Sequence, residues 1–189
     1  MRIVLATHNA HKVEELRRIL GPRLGARELL GYDGPEPIED GDSFAANALI
    51  KARAAHAHTG LPAIADDSGI SVDALDGAPG IHSARYAGTR NDADNLALLI
   101  ERMTGRSDRA AAFTCAAAYV DAEHEFVELG VWPGVVLDAP AGIGGFGYDP
   151  IFRPDGVAVS AAELTADEKN AISHRAIAFA RLFDRIPAA

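Results

Sequence analysis

The fold is indicated most clearly by residues 61–69, which read LPAIADDSG. The apolar run Leu61 to Ala65 has the composition of a short buried strand. Two adjacent carboxylates, Asp66 and Asp67, follow it at once, and Ser68-Gly69 then has the composition of a turn. Because ligands of α/β proteins collect at the carboxyl ends of strands, this junction is the first candidate site in the chain.

The two aspartates of this junction are expected to differ in role. Side chains alternate along a strand, so adjacent aspartates do not easily face one site. One is expected to bind a metal ion or act in catalysis while the other serves the turn, and a plain Asp-Ser-Gly turn is the alternative. Glu39, next to Asp40 in the preceding loop, offers a further carboxylate, since Mg²⁺ usually takes one or two carboxylates together with phosphate oxygens and waters.

Strands and helices alternate on both sides of this junction. Their order predicts one α/β domain over residues 1–189, with two lobes around one cleft and no separable linker. The expected elements are a strand at 3–6, a helix carrying Val13, Leu16, Ile19 and Leu20 that ends at Gly21-Pro22, a strand within 26–32, a helix from Ser43 to Gly60, a strand at 70–74, a helix from Asn91 to Met103, strands at 110–120 and 125–137 joined near Asp121, and a C-terminal helix with the stripe Ile172, Ala176, Phe179 and Phe183.

Composition and charge exclude several classes of protein. The chain has 189 residues, 48% of them hydrophobic, and a net charge of −9. Such an acidic chain is a poor general binder of nucleic acid or of anionic membranes. The one cysteine, Cys115, excludes an internal disulfide and is expected to be buried in its apolar stretch. No apolar stretch approaches the ~20 residues of a membrane span, so a cytoplasmic location without membrane contact is expected.

A second candidate site is the loop Thr7 to Lys12, between the first strand and the first helix. The first N–H groups of a helix have no internal partners and favour anions, and Lys12 adds a full positive charge. The alternative interpretation is a solvated strand–helix turn with a surface lysine. No Walker A motif occurs anywhere in the chain, so this loop is not a P-loop.

A glycine-rich stretch at 142–147, GIGGFG, matches the dinucleotide-binding pattern G-x-G-x-x-G. Tyr148-Asp149-Pro150 follows instead of a helix, and proline cannot extend one, so a Rossmann site is excluded. The glycines still allow the backbone to lie close to a flat ring or a phosphate.

The last candidates are Lys169, His174 and Arg175. On one unbroken helix they would lie on different faces, but Ser173 can cap a new helix whose first turn directs His174 and Arg175 toward an anion or a polar ring. A cationic face in contact with solvent is the alternative. Three further histidines lack metal-ligand spacing and are expected at the surface: His56, His58 and His124. Together, an anion loop, two acidic segments and a basic cluster suit a metal-bound nucleoside polyphosphate.

Taken as a set, these segments resemble the inosine triphosphate pyrophosphatase family, whose members hydrolyse non-standard purine nucleoside triphosphates. The resemblance extends in order from residue 3 to about residue 183, which makes it far more specific than any single motif. The segments that carry it are Thr7 to Lys12, Ser43-Phe44, Asn47-Ala48, Lys51-Ala52, Ala65 to Gly69, Gly77 to Gly80, Ser83 to Arg85, Gly144 to Phe152, Ala162 to Leu164, Lys169 and Ser173 to Arg175.

The resemblance implies an elongated mixed sheet with flanking helices, two lobes around a central nucleotide cleft, and a homodimer. It implies hydrolysis of ITP, dITP or XTP to the monophosphate and pyrophosphate, with Mg²⁺ held by Glu39 and Asp67. Asp67 should also polarise the attacking water, Lys51 should neutralise phosphate charge, and Ser68 should touch the substrate. The other residues implied at the substrate are Thr7, His8, Asn9, Ala10, His11 and Lys12 along the triphosphate, and Phe146, Gly147, Tyr148, Asp149, Lys169, His174 and Arg175 around the base.

The sequence departs from the family pattern at two places. Ala46 stands where the segment usually reads E-N-A, so Glu39 or Asp42 would have to compensate if that glutamate is a metal ligand. His8 and His11 stand where glycine or another small or basic residue is frequent. Two alternatives therefore stay open: a nucleotide-sensing module with little turnover, and a pyrophosphatase for another nucleoside triphosphate.

Overall fold

A computed structural model describes residues 1–8 and 10–187 of the chain, without the side chains of Ala10 and His11. The described residues form six strands and five α-helices. In chain order these are β1 (Arg2–Leu5), α1 (Ala10–Leu20), β2 (Glu28–Leu30), α2 (Phe44–Thr59), β3 (Ala63–Val72), α3 (Asp92–Met103), β4 (Ala110–Val120), β5 (Glu125–Val136), β6 (Phe152–Pro154), α4 (Ala166–Ile172) and α5 (His174–Arg185).

The strands form one mixed sheet in the order β2-β1-β3-β4-β5-β6. Strand β1 pairs in parallel with both β2 and β3, and β5 pairs antiparallel with β6. The predicted α/β class, a mixed sheet with flanking helices, is confirmed. None of the helices within the described part of the chain is long and apolar enough to cross a membrane.

The chain divides into two compact units, and three of the four boundaries between them fall inside strands. Unit 1 consists of Met1–Asp67, Cys115–Gly130 and His174–Ala189, and unit 2 of Ser68–Thr114 and Val131–Ser173. Strands β3, β4 and β5 thus contribute residues to both units, and no linker was predicted or found among the described residues at these boundaries. The cleft expected between two lobes stays a prediction.

The core of unit 1 joins β1, β3 and β4 to helices α1 and α5 through large side chains such as Leu16, Ile64 and Phe179. Cys115 has no exposed surface, as its apolar surroundings predicted. Helix α2 meets the sheet differently, through the alanines of a separate cluster. Because Ala48 and Ala52 carry only a methyl group, α2 can lie close to the sheet, and its polar residues gain access to β3.

The core of unit 2 is built around aromatic side chains. Phe113, Trp132 and Phe152 contact one another, with ring centroids 4.8 Å apart for the pair Phe113–Phe152 and 5.5 Å apart for Trp132–Phe152. Leu99 and Met103 of α3 complete this cluster. Each unit therefore has its own hydrophobic core.

Helix ends lie where local capping signals predicted them. The hydroxyl of Ser43 accepts from the Ala46 amide at the start of α2, and Gly60 ends that helix with φ +67°. Asn91 caps α3 by accepting from the amides of Ala93 and Asp94. These signals depend on a few consecutive residues, which is why the sequence predicts them correctly.

Strand β3 contradicts the turn predicted at 66–69. It continues unbroken from Ala63 to Val72, so the two short strands expected on either side of Asp66-Asp67 are one. The backbone at Gly69 lies so close to the Gly80–Ser83 segment that a Cβ there would collide with the Gly80 carbonyl oxygen, 2.5 Å away. Glycine serves close packing in a strand here rather than a turn.

The C-terminal prediction needs a smaller correction. The helix breaks at Ser173, as expected, but Ile172 ends α4 and is 38% exposed, so it is not part of the buried stripe of α5. The stripe holds for Ala176, Phe179 and Phe183, which are buried. Of the three histidines expected at the surface, His58 and His124 are exposed, while His56 is half-buried and its Nδ1 lies 2.7 Å from a backbone carbonyl.

Strand β5 and the first turns of α5 are in backbone contact at Gly130. A Cβ on this residue would meet the Ala178 amide nitrogen at 2.6 Å and the His174 carbonyl oxygen at a shorter distance still. Because no other residue fits at this point, the sequence at 130 fixes how closely α5 approaches the sheet.

Candidate active site

The adjacent carboxylates of β3 engage different helices. Asp66 contacts cations of α1 and α5, whereas Asp67 contacts residues of α2. Side chains alternate across a strand, so the two neighbours point to opposite faces. The expectation that the two aspartates differ in role is consistent with this arrangement, but neither of them serves a turn.

Asp67 lies in a group of four polar side chains that we call the Asp67 cluster: Glu39, Asn47, Lys51 and Asp67. Lys51 Nζ lies 3.2 Å from Asp67 Oδ1 and 3.3 Å from Glu39 Oε2. Asn47, one turn earlier on α2, donates to Asp67 Oδ2 at 3.2 Å. Its own Oδ1 accepts from the Gly41 amide at 2.9 Å, which ties the loop that carries Glu39 to α2.

The electrostatics of the Asp67 cluster favour a carboxylate that binds protons or cations readily. Burial raises the pKa of Asp67; Lys51 opposes this effect and Glu39 adds to it, so the pKa lies above its ordinary value. Burial would lower the pKa of Lys51, but the charges of its carboxylate neighbours raise it, so this lysine is a cation at neutral pH. Two carboxylates thus converge on one ammonium group.

The second carboxylate of β3 belongs to another group, which we call the Asp66 network: Lys12, Glu15, Asp66 and Arg175. Asp66 Oδ2 accepts from Arg175 Nη2 at 3.1 Å and from Nε at 3.3 Å. Asp66 Oδ1 lies 3.7 Å from Lys12 Nζ. Burial alone would raise the pKa of Asp66, but Lys12, Arg175 and Lys51 outweigh it and hold the pKa well below its usual range.

The loop before α1 is described only in part, and Asn9 and the side chains of Ala10 and His11 lie outside the described residues. His8 lies with Nδ1 2.9 Å from Glu36 Oε1 and Nε2 2.8 Å from the Gly34 carbonyl oxygen. Its ring stacks on Tyr32 at a centroid distance of 5.5 Å. Two acceptors on the two ring nitrogens favour the doubly protonated imidazolium, and the pKa of His8 is raised, chiefly by Glu36.

Unit 2 contains a third group, the Asp149 cluster, formed by Phe146, Asp149 and Lys169. Lys169 forms an ion pair with Asp149, which is 2% exposed, and its ammonium lies 4.6 Å from the centroid of the Phe146 ring. Asp149 also accepts from the Phe146 amide at 2.8 Å. The ring of Phe146 is 51% exposed and carries the Lys169 ammonium over one face, as in a cation–π contact.

The residues next to this cluster are held by hydrogen bonds within unit 2. The Gly147 amide donates to Asp92 Oδ2 at 2.9 Å, and the Tyr148 hydroxyl donates to the Ser83 carbonyl at 2.7 Å. Burial raises the pKa of Tyr148 well above its usual value, so the hydroxyl stays protonated. Ser68 is half-buried in β3, at the first position of unit 2.

The donor set of the Asp67 cluster fits a divalent cation. Within the described part of the chain, no group of three or more His, Cys, Asp or Glu side chains could hold a metal ion unaided. Mg²⁺ usually takes one or two carboxylates and completes its shell with phosphate oxygens and waters. Glu39 and Asp67 both lie within hydrogen-bonding distance of one cation, the Lys51 ammonium, so they can meet at one ion.

Several residues that support these groups were not predicted from the sequence. Glu15 and Asn47 could have been found from spacing, since Glu15 lies one turn from Lys12 and Asn47 one turn from Lys51 on their helices. The contact of Asp92 with Gly147 has no such local signal. His174 and Arg175 are both buried at the start of α5, and their contact with a base stays a prediction.

Comparison with known proteins agrees with the resemblance found in the sequence. Residues 3–185 match the model of the Ham1 family. A "dITP/XTP pyrophosphatase" of Leifsonia xyli is 54% identical over 186 residues, covering 96% of this chain and 94% of that protein. One of Shigella flexneri with the same name is 49% identical over 194 residues and covers 98% of each chain.

Solved structures agree at the level of the fold. A HAM1 protein from Coxiella burnetii is 40% identical and superposes with a TM-score of 0.90, covering 97% of both chains. A "Nucleoside-triphosphatase / dITP/XTP pyrophosphatase" from Mycobacterium abscessus is 46% identical with a TM-score of 0.79, covering 96% of this chain and 97% of that one. The sequence segments, the superposition and the full-length similarity therefore agree, and the chain belongs to the Ham1 family.

Proposed function

We propose that this protein hydrolyses non-standard purine nucleoside triphosphates (ITP, dITP and XTP) to the monophosphate and pyrophosphate. The observation that carries the proposal is the convergence of Glu39 and Asp67 on Lys51 in a chain that matches dITP/XTP pyrophosphatases over nearly its full length. Such a reaction removes non-standard nucleotides from the pool of precursors.

The proposed reaction needs a base, a cation for the phosphates and a fixed geometry. A water oxygen attacks the α-phosphorus, the bond to the bridging oxygen of the β-phosphate breaks, and pyrophosphate leaves. Asp67 accepts the proton of the water, a role that its raised pKa supports. Little covalent chemistry falls to the protein in phosphoryl transfer, so positioning and charge neutralisation supply most of the rate.

The cations of unit 1 are suited to the triphosphate. Lys51 already lies between two carboxylates, and Lys12 is 35% exposed at the start of α1, where helix N–H groups also favour an anion. Glu39 and Asp67 would hold Mg²⁺, which when bound polarises phosphoryl oxygens and lowers the pKa of a coordinated water. Thr7 to His11, which directly precede Lys12 in the chain, complete the proposed phosphate contacts.

The Asp149 cluster is suited to a purine base. Hypoxanthine and xanthine carry an oxygen at C6, where adenine carries an amino group, so a fixed donor such as Lys169 favours the former and meets another donor in adenine. The exposed ring of Phe146 offers a stacking surface. Gly147 and Tyr148 shape this segment, Ser68 is a further proposed contact, and His174 and Arg175 are the proposed base contacts of unit 1.

Two alternatives are less well supported. A sensing module with little turnover was conceivable because Ala46 replaces the usual glutamate, but Glu39 lies where a second carboxylate is needed, 3.3 Å from Lys51 Nζ. A pyrophosphatase for ATP would gain nothing from a donor such as Lys169 at the base, because adenine carries an amino group at C6. Homodimer formation and a cytoplasmic location are further proposals, which rest on the family resemblance and, for the location, on the single buried cysteine.

Product analysis tests the proposal directly. The purified protein is incubated with Mg²⁺ and dITP, XTP, dATP or dCTP, and a parallel series contains a chelator. Formation of dIMP and pyrophosphate, much faster than dAMP from dATP and abolished by the chelator, is expected. Formation of the diphosphate and phosphate would contradict the site of cleavage, binding without hydrolysis would favour the sensing module, and equal rates with dCTP would contradict the base preference.

A further inference from the structure

Asp66 is a buried carboxylate to which the proposed reaction assigns no role. Its side chain is 6% exposed, and both of its oxygens face cations. Oδ1 lies 3.7 Å from Lys12 Nζ, and Oδ2 accepts from Arg175 at 3.1 and 3.3 Å. A carboxylate with one cation on each oxygen is a fixed bridge between two elements rather than a base open to solvent.

Arg175 also connects the Asp66 network back to α1, the helix that carries Lys12. Arg175 Nη1 lies 3.3 Å from both carboxylate oxygens of Glu15, which follows Lys12 by one turn on α1. The four side chains carry two positive and two negative charges, so the network is neutral as a whole. With its side chain only 5% exposed, Arg175 anchors the first turn of α5 to α1 and β3.

We propose that Asp66 is a positioning residue that sets two parts of the substrate site at once. Its Oδ1 fixes Lys12, the cation proposed for the triphosphate, and its Oδ2 fixes the first turn of α5, which carries the proposed base contacts His174 and Arg175. The carboxylate itself touches neither substrate nor metal. This inference rests on the proposed function, because it concerns the same substrate site.

The geometry of the network predicts different effects for its two carboxylates. Asp66→Asn keeps the size of the side chain but turns one acceptor oxygen into a donor that must face a cation. We expect the KM for dITP to rise about tenfold or more, and the preference in kcat/KM for dITP over dATP to fall about tenfold, with a smaller change in kcat. Glu15→Gln weakens the contact with Arg175 but leaves the contact between Asp66 and Lys12 intact. The preference in kcat/KM for dITP over dATP should therefore fall, while the KM for dITP changes little.

The experiment compares steady-state kinetics of wild type, Asp66→Asn, Glu15→Gln and the matched control Glu14→Gln. Glu14 is the neighbour of Glu15 on α1, but its side chain is 55% exposed and pairs with Arg17 and Arg18 at the surface. The control should retain wild-type constants. Circular dichroism and thermal unfolding of each variant report the folded fraction, so that constants are compared per folded molecule.

The outcomes separate a positioning role from the other possibilities. If folded Asp66→Asn retains the wild-type KM and the wild-type selectivity, the inference is overturned. It is also overturned if only kcat falls while KM and selectivity stay unchanged, because that result would indicate a catalytic group. If Asp66→Asn fails to fold, Glu15→Gln decides, and wild-type selectivity there overturns the inference. A wild type that hydrolyses neither dITP nor XTP would overturn the proposed function and this inference with it, whereas an active wild type with unaffected variants overturns the inference alone.

Discussion

The charged groups of unit 1 and unit 2 are built differently. In unit 1, the two carboxylates of one strand face cations that three helices supply, and the Asp66 network and the Asp67 cluster contain charges of both signs in alternation. In unit 2, the ammonium of the buried ion pair Lys169–Asp149 lies over the exposed aromatic ring of Phe146. Alternating fixed charges suit a triphosphate with its cation, and one ammonium beside a ring suits a flat base.

This difference has a consequence for mutagenesis. Variants of the Asp67 cluster are expected to change the rate of turnover, because negative charge shifts among the oxygens bound to the α-phosphorus during the reaction. Variants of the Asp149 cluster are expected to change stability and the choice of base, because that cluster is a buried ion pair with a recognition surface. Variants at Asp67, Lys169 and Phe146 test this division, and a variant near His8 probes a charged pair outside both clusters.

The largest effect is expected at Asp67. Asp67→Asn keeps the size of the side chain but removes the group that accepts the proton, so kcat for dITP should fall about 100- to 10,000-fold. Nucleotide binding, measured by isothermal titration calorimetry, should be largely retained, and so should the preference for dITP over dATP in any residual activity. Asp73→Asn, at an exposed aspartate, serves as the control. Retained turnover in Asp67→Asn would contradict the assignment of turnover to the Asp67 cluster.

The second effect concerns stability in unit 2. Lys169→Met leaves the carboxylate of Asp149 buried without its cation, and breaking a buried pair in this way costs roughly 3–5 kcal/mol of the free energy of unfolding. Urea denaturation measures the loss. The double variant Lys169→Met/Asp149→Asn removes the unpaired charge and should recover part of the stability. A double variant no more stable than Lys169→Met would contradict this electrostatic explanation.

The third effect concerns binding by the aromatic ring. Phe146→Ala should raise the KM for dITP by a factor equivalent to ~1–3 kcal/mol of stacking, while kcat changes little. Because the ring is 51% exposed, the free energy of unfolding should change by less than about 1 kcal/mol. Ile143→Ala, in the same glycine-rich loop and fully exposed, is the matched control. An equal rise in KM for both variants would indicate that the loop, rather than the ring, is responsible.

The smallest effect is expected at the edge of unit 1, at His8. Glu36 raises the pKa of this histidine above its ordinary value, so protonation contributes stability that is fully present below pH 6.5 and is lost as the pH rises through the raised pKa. Glu36→Gln should lower the pKa of His8, measured by NMR titration of the ring. An unchanged pKa would show that the Gly34 carbonyl and the Tyr32 ring suffice to hold the imidazolium.

Local features of the fold could be predicted from the sequence, and non-local ones could not. Ser43, Gly60 and Asn91 cap their helices as expected because a cap depends on the next few residues alone. The turn predicted at Asp66-Asp67 was wrong because strand formation there depends on cations supplied by Lys12, Lys51 and Arg175, far away in the chain. A sequence with two adjacent carboxylates predicts a loop, and only the positions of their cationic partners show that the segment is a strand.

The residues of the candidate site also fall into those that the sequence predicts and those that it does not. Lys51 and Asp67 were expected at the site, and the structure brings them together with Glu39. The Asp66 network was not foreseen, because its four members come from three separate segments and only Lys12 and Glu15 share a helical spacing. The roles of Phe146 and Lys169 around a base came from the resemblance of the whole set of segments, since no single motif identifies a purine.

The backbone contact at Gly130 limits how this protein can change over generations. Any side chain at this position would push the first turns of α5 away from β5 and displace Arg175 with them, so we expect substitution to be poorly tolerated at a residue that has no chemical role. The exposed neighbours Leu129 and Val131 are under no such backbone restriction. In a saturation library scored for turnover, one intolerant position should therefore lie between two tolerant ones, which would show that the Asp66 network depends on a residue outside it.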